Sequence, residues 1–171
     1  DRRRDPAPGE EGLIMRAAVL RQAGAPLTIE EVDIDDPGPG EVRIRTAAAG
    51  VCHSDLHFIE GLYHTPMPCV PGHESAGVVE AVGPDVTYVH PGDHVITCMS
   101  AFCGVCRNCT AGRPVLCEST ETWRSPGQPP RLSQNGQPIT QLYNLASYAE
   151  AMLVHERACV KVRPDMPLDR G

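Results

Sequence analysis

Apolar positions in this chain come in short runs, without the 3.6-residue recurrence of long helices. Residues 14–20 and 27–32 are two such runs, parted by a Gly24-Ala25-Pro26 turn. Residues 33–40 are turn-forming and end on Pro37-Gly38-Pro39-Gly40. Residues 41–46 alternate strictly, with Val42, Ile44 and Thr46 on one face and Glu41, Arg43 and Arg45 on the other. That is the period of a half-buried strand with its charges in solvent. Residues 52–60 predict a short helix ended by Gly61. Residues 75–82 predict a strand closed by Gly83-Pro84-Asp85, and His90-Pro91-Gly92-Asp93 turns into another over 94–97. Residues 99–118 have almost no apolar periodicity, and 119–138, polar and rich in Pro and Gly, predict one long loop. Residues 143–154 and 158–162 predict two more strands, and 167–171 the opening of a helix. Six or seven short strands joined by Gly/Pro turns point to a mainly β, barrel-like core with few short helices.

Composition sharpens this picture. The 171 residues include 16 glycines and 17 prolines, well above the ordinary share of about 12%, which argues for turns and against a helical bundle. Aromatics are only 4%, so aliphatic side chains must fill the core. A formal net charge of −7 disfavours nucleic acid or an anionic membrane as partner. No apolar run reaches the roughly 18 residues of a membrane span. Arg2-Arg3-Arg4 is followed by no uninterrupted apolar segment, because Arg16 breaks residues 13–20, so the start does not read as a signal peptide and a cytoplasmic location is expected. The chain opens on Asp1 rather than Met. Residues 1–14 are expected to be a disordered extension, with Met15 a candidate start, and residues 15–171 one domain.

Eight cysteines without a secretion signal suggest metal binding or catalysis rather than disulfides. Cys103, Cys106, Cys109 and Cys117 place four thiols within fifteen residues. Two-residue spacers let successive sulfurs converge in one tight loop, which Gly104 and Gly112 allow to turn. Four thiolates close the tetrahedron of zinc and leave no open position, so such a site is structural. An iron–sulfur cluster is the other chemistry for Cys-x2-Cys-x2-Cys, but its fourth cysteine normally follows three residues on with Pro behind it. Here Cys117 comes eight on and Glu118 follows.

A second group lies upstream. Cys52-His53-Ser54-Asp55-Leu56-His57 and, about twenty residues later, Gly72-His73-Glu74 each follow a small-residue or turn segment. Cys, His and an acidic residue at loop ends are part of a catalytic zinc set. By pattern alone the alternatives stay open: Ser54 and Asp55 as caps of the short helix, His53 and His57 as solvated residues, Cys52 as a small buried hydrophobe. Cys69 and Cys159 read as buried core cysteines.

The chain resembles the zinc-dependent alcohol dehydrogenases of the medium-chain dehydrogenase/reductase superfamily. The matching residues are Gly50-Val51-Cys52-His53-Ser54-Asp55, Pro71-Gly72-His73-Glu74 with Gly77 and Val79, Val82-Gly83 with Thr87, Pro91-Gly92-Asp93-His94-Val95, and the four-cysteine lobe, over residues 15–165. The resemblance implies a GroES-like β-barrel catalytic domain with a protruding structural-zinc lobe. It implies Cys52 and His73 as catalytic-zinc ligands, Glu74 as the acidic residue beside that zinc, and Asp55 as the carboxylate orienting His73. Ser54 matches the hydroxyl that takes the alcohol proton, His57 the far end of the proton relay, and His53 a contact to the cofactor pyrophosphate. Tyr63, Met99, Leu142 and Tyr143 match pocket-lining positions.

The activity implied is zinc-dependent, NAD- or NADP-dependent interconversion of alcohols with aldehydes or ketones. No Gly-x-Gly-x-x-Gly occurs in these residues, and the family's nucleotide-binding domain and a third catalytic-zinc ligand, a cysteine, are expected after residue 171. The chain by itself is therefore expected to be inactive. Its partners are expected to be a small alcohol or aldehyde and, through the absent domain, a second copy of itself. The length of 119–138 also resembles the long-loop class that includes the glutathione- or mycothiol-type formaldehyde dehydrogenases, an alternative activity. A stand-alone zinc-binding module without catalysis is the alternative of a different class.

Overall fold

The computed structural model describes residues 13–125 and 127–170. In chain order the strands are β1 (Leu13–Val19), β2 (Thr28–Ile34), β3 (Glu41–Ala49), β4 (Cys69–Val70), β5 (Ser75–Val82), β6 (His94–Thr97), β7 (Leu132–Gln134), β8 (Gln137–Pro138), β9 (Thr140–Gln141), β10 (Ala151–His155) and β11 (Cys159–Lys161). Two short helices, α1 (His53–Ile59) and α2 (Arg107–Thr110), interrupt them. One sheet runs β1-β2-β7-β8, a second β10-β3-β5-β6-β11, and β4 pairs in parallel with β9. The result is mainly β with few helices, and its sheets curl into a half-barrel. The register of β3 against β5 shifts at Arg43/Ile44 and again at Thr46/Ala48, and such bulges bend a sheet.

Two apolar cores fill the curl. One gathers Met15, Val19, Val32, Ile34, Val70, Leu132, Ile139 and Leu153; the other gathers Val42, Ile44, Val79, Val95, Leu145, Met152, Val154 and Cys159. β10 joins them. Successive side chains on a strand point to opposite faces, so Ala151 and Leu153 enter the first core while Met152 and Val154 enter the second. A strand buried on both faces reads as a continuous apolar run, which explains Ala-Met-Leu-Val at 151–154.

Several expectations need correction. Leu13 and Ile14, assigned by sequence to an extension, pair with Ile34 and Asp33 as the first residues of β1; the rest of that extension, residues 1–12, lies outside the described residues. The loop expected over 119–138 holds the β7–β8 hairpin. Its turn is Asn135-Gly136, both at positive φ (51° and 74°), the dipeptide that fits a tight primed hairpin turn. The strand expected over 143–154 begins only at Ala151, because Tyr143, Asn144 and Ala146 take positive φ and cannot continue an extended ladder. The helix expected at 167–171 is described only as a single 3-10 turn, Leu168–Arg170. The strands are more numerous and shorter than the pattern suggested.

The fifth correction concerns β3. Val42 and Ile44 point inward as the alternation requires, but Glu41, expected in solvent, is 4% exposed. It accepts hydrogen bonds from Arg131 Nε (2.7 Å) and Arg124 Nη2 (2.6 Å), and from the Gly38 N–H at 2.9 Å. Two guanidiniums from the 119–131 segment reach across to it, and Arg124 also pairs with Asp35. The segment is thereby fastened to the barrel along one side of a cleft.

Candidate metal centres

The cysteine lobe projects from the end of β6. Cys103 is buried and Cys106, Cys109 and Cys117 are half-buried. Their sulfurs all lie within 4.8 Å of one another. The separations are 3.5 Å for Cys106–Cys109, and 3.9 Å for both Cys103–Cys109 and Cys106–Cys117. A disulfide needs about 2.05 Å. A tetrahedron whose sulfurs sit about 2.3 Å from a central zinc has edges of about 3.8 Å, so the thiols fit that ion.

Backbone geometry builds the cradle. N–H groups of Val105 and Cys106 donate to Cys103 Sγ (3.5 and 3.3 Å), and the Cys103 N–H donates to Cys117 Sγ at 3.3 Å. N–H groups of Cys109 and Glu118 hold the Cys106 thiol down at about 6, whereas desolvation pushes Cys109 up to about 12. Four crowded thiols cannot all ionise without a cation among them. Gly104 sits at φ +83°, and a Cβ there would lie 2.2 Å from Arg157 Nη1. That guanidinium donates to the Cys103 carbonyl and lies over the Phe102 ring at 5.7 Å, tying the lobe to the barrel.

The second centre forms where α1 meets the β4–β5 connection. Cys52 is the N-cap of α1 and Asp55 its third helical residue. Asp55 is 1% exposed and its two oxygens face four donors. Oδ1 takes the Gly72 N–H (3.0 Å) and His73 Nδ1 (3.2 Å). Oδ2 takes the Cys52 N–H (3.3 Å) and the Tyr148 hydroxyl (3.1 Å). The carboxylate thus caps its own helix and holds the His73 ring at once. With Nδ1–H committed to Asp55, the His73 Nε2 lone pair is left for a metal.

Cys52, His73 and Glu74 bring their ligand atoms within 4.8 Å of one another. A thiolate, an oriented imidazole and a carboxylate suit zinc, and three protein donors leave a position open. Two glycines make the approach feasible. A Cβ on Gly50 would stand 2.5 Å from Glu74 Oε2; Gly72, at φ +94°, would drive one to 2.4 Å from Ser147 Oγ.

The other sequence-predicted residues are placed as follows. Ser54 lies half-buried on α1, and no hydrogen bond joins it to His57. Among the described residues His57 Nδ1 is buried without a hydrogen-bond partner. Its ring meets His53 edge-on at 4.7 Å and Tyr63 at 5.1 Å, and His53 itself is exposed. Met99, Leu142 and Tyr143 line a cleft of about 830 Å³ together with Phe58. Tyr63 stands outside that lining and packs edge-to-face on Phe58 at 5.4 Å. Tyr143 touches both Phe58 (5.7 Å) and His73 (5.1 Å), so the cleft wall continues to the metal-type site. Cys69 and Cys159 are core residues, their thiols pushed up by burial to about 11 and about 12.

Sequence reasoning missed Phe58 and Tyr148. Phe58 was legible: it falls three residues after Asp55, on the buried face of α1. Tyr148 had no local cue, because its partner is 93 positions away. Burial, with the Asp55 charge behind it, pushes the Tyr148 phenol well above its ordinary value, so it remains a donor. Among the described residues no helix is long and apolar enough to cross a membrane.

A curled β half-barrel bears a four-thiol lobe and a Cys/His/Glu cluster, and the chain belongs to the alcohol dehydrogenase GroES-like domain family, whose model matches residues 38–164. It is 43% identical over 157 residues to the NDMA-dependent alcohol dehydrogenase of Amycolatopsis methanolica, covering 90% of this chain and 42% of the relative. The crystal structure of an alcohol dehydrogenase zinc-binding domain protein from Burkholderia ambifaria superposes with a TM-score of 0.83 at 36% identity, covering 91% of this chain and 44% of that one. A cobalt- and zinc-bound thermostable alcohol dehydrogenase from Pyrobaculum aerophilum gives 0.69 at 36% identity, covering 91% and 43%. The chain therefore spans a little over two-fifths of the length of the relatives it matches.

Proposed function

We propose that this chain is the catalytic domain of a zinc-dependent, NAD- or NADP-dependent alcohol dehydrogenase that interconverts alcohols with aldehydes or ketones. The observation that carries this reading is the convergence of Cys52, His73 and Glu74 beside a cleft, with Asp55 holding the His73 ring. Cys52 and His73 would hold the catalytic zinc, which supplies Lewis acidity that lowers the pKa of an alcohol hydroxyl. The four lobe cysteines would hold a second, structural zinc. Asp55 keeps the proton on His73 Nδ1. Ser54 takes the proton that leaves the alcohol hydroxyl, and His57, one turn further along α1 and not hydrogen-bonded to Ser54, is the far end of a relay that needs a bridging group between them. A nicotinamide nucleotide, whose pyrophosphate His53 would contact, would supply the hydride acceptor for the carbinol carbon. Leu142, Tyr143 and Met99 provide an apolar wall, with Tyr63 supporting it through Phe58, that keeps water from the reacting carbon.

The test is steady-state NAD(P)H formation with primary alcohols, alongside metal content, in the protein that carries this domain. Cys52→Ala should abolish turnover and remove one metal while the lobe keeps the other. A Cys52→Ala protein with full activity overturns the assignment; good cofactor binding without turnover on any alcohol or aldehyde supports a non-catalytic zinc module. The long 119–138 segment lines the cleft with Thr120, Thr122 and Arg124, and that is the observation behind a second reading. Thiol adducts of formaldehyde are the second reading, and belong in the same assay.

A further inference from the structure

We infer that Tyr148 is a positioning residue for the Cys52/His73 centre, acting through Asp55; the inference rests on the reading of that centre as a metal site. Its hydroxyl donates to Asp55 Oδ2 at 3.1 Å, on the oxygen opposite the one that receives His73 Nδ1. Without that hydroxyl Oδ2 would keep only the Cys52 N–H at 3.3 Å, and a carboxylate held so weakly at one oxygen can swing about its Cβ–Cγ bond. Held at both, it has a fixed plane, and the His73 ring inherits that plane through the Nδ1 bond.

Tyr148 is itself firmly mounted. Its N–H donates to the Pro71 carbonyl at 3.1 Å, and its carbonyl accepts from the Ala18 N–H at 2.8 Å. The neighbouring Ser147 N–H donates to the Gly72 carbonyl at 3.1 Å, while the Gly72 N–H donates to Asp55. The ring packs against the core cluster of Met15, Val32 and Leu153. The strand β1, the segment before His73 and the stretch leading into β10 therefore meet at this side chain. Asp55 is anchored at Oδ2 by Tyr148 and by the Cys52 N–H of its own helix, and at Oδ1 by Gly72 and His73 of the β4–β5 connection. Without the hydroxyl, α1 with Cys52 at its cap keeps only the Gly72 and His73 bonds to the barrel, both on Oδ1, and the geometry between the two metal-type residues loosens.

The experiment compares the parent protein, Tyr148→Phe, Asp55→Asn and the double variant, each titrated with Co²⁺. The readouts are the visible bands of the ion at Cys52/His73 and its dissociation constant by chelator competition. The Phe ring preserves packing, so the tetrathiolate bands should persist. The second set of bands should shift, and affinity there should fall by about tenfold, the lower end for groups that orient ligands. In the double variant the loss should not exceed that of Asp55→Asn alone, because one residue acts through the other. Unchanged bands and affinity in Tyr148→Phe beside a shifted Asp55→Asn overturn the inference, and so do additive losses. A Tyr148→Phe protein that loses both sets of bands gives Tyr148 a purely structural role and overturns it too. A parent that takes up only the tetrathiolate ion fails one step earlier, at the reading of Cys52 and His73, before any variant is compared.

Discussion

Glu41 Oε1 and Arg131 Nε stand 2.7 Å apart although ninety positions separate them, and both side chains are almost fully buried. The pair is the inner end of a network that Arg124 extends outward to Asp35. It fastens the polar 119–131 segment, which has little apolar surface of its own, to the wall of the cleft. Ionic contacts do there what burial of aliphatic side chains does in the two cores.

Arg131→Met should cost about 1.5–3 kcal/mol, the worth of a hydrogen bond to a charged group, because Arg124 and the Gly38 N–H still compensate the buried Glu41 carboxylate. By contrast Arg16→Ala, which breaks a pair with Glu150 whose side chains are 70% and 42% exposed, should cost no more than about 1 kcal/mol. Urea unfolding midpoints separate the two.

Acid should loosen the same network. Burial raises the Glu41 carboxyl, but the hydrogen bonds from Arg124 and Arg131 outweigh it and hold the group below its ordinary 4.5. A carboxyl depressed on folding contributes stability that is complete above its unfolded value and is lost as pH falls through its folded value. Stability should therefore decline as pH drops below about 4.5, and Glu41→Gln should flatten that part of the curve. Thermal melts from pH 7 to pH 3 test this.

Cys106→Ser should release the lobe's zinc and expose the lobe to protease, because binding free energy there is folding free energy. The Cys52/His73 centre lies outside the lobe and should keep its metal. Metal analysis with limited proteolysis reads both effects.

Gly72→Ala should be among the most damaging single-methyl additions in the chain. It forces a Cβ to within 2.8 Å of the Tyr148 backbone nitrogen at φ +94°, and strain of that kind costs about 1–3 kcal/mol before the clash is counted. It also displaces the N–H that Asp55 accepts. Loss of the Cys52/His73 metal should exceed the loss from Gly112→Ala, where nothing lies within 4 Å.

Alkylation should rank the thiols. Exposed Cys98 should react first. Cys69 and Cys159, with thiols raised to about 11 and about 12, should stay unmodified in folded protein at neutral pH. The four lobe cysteines should become reactive only after chelation. Mass spectrometry of peptides gives the order.

Much was legible locally. The spacing of Cys103, Cys106, Cys109 and Cys117 determines a four-thiol cradle, since two-residue spacers bring sulfurs together whatever surrounds them. Strands β5 and β6 fall where β-branched runs and Gly/Pro turns place them, and β3 starts where its alternation does. The helix expected over 52–60 forms as α1, but its N-cap is Cys52, with Asp55 at the third helical position, where the pattern offers Ser54 or Asp55 as the cap. The Asn135-Gly136 turn was also written in the sequence, but lay hidden in a segment whose polarity reads as loop. Other features exist only once the chain is folded. Glu41 looks like a solvent residue by period, and only the arrival of Arg124 and Arg131 from a distant segment lets it be buried as an ion. Asp55 looks like a helix cap; Gly72, His73 and Tyr148 turn it into the pivot of a site. In each case the local pattern reports the preference of one segment for water or apolar surroundings. A charge or hydroxyl whose partners lie ninety residues away obtains them from the tertiary structure alone.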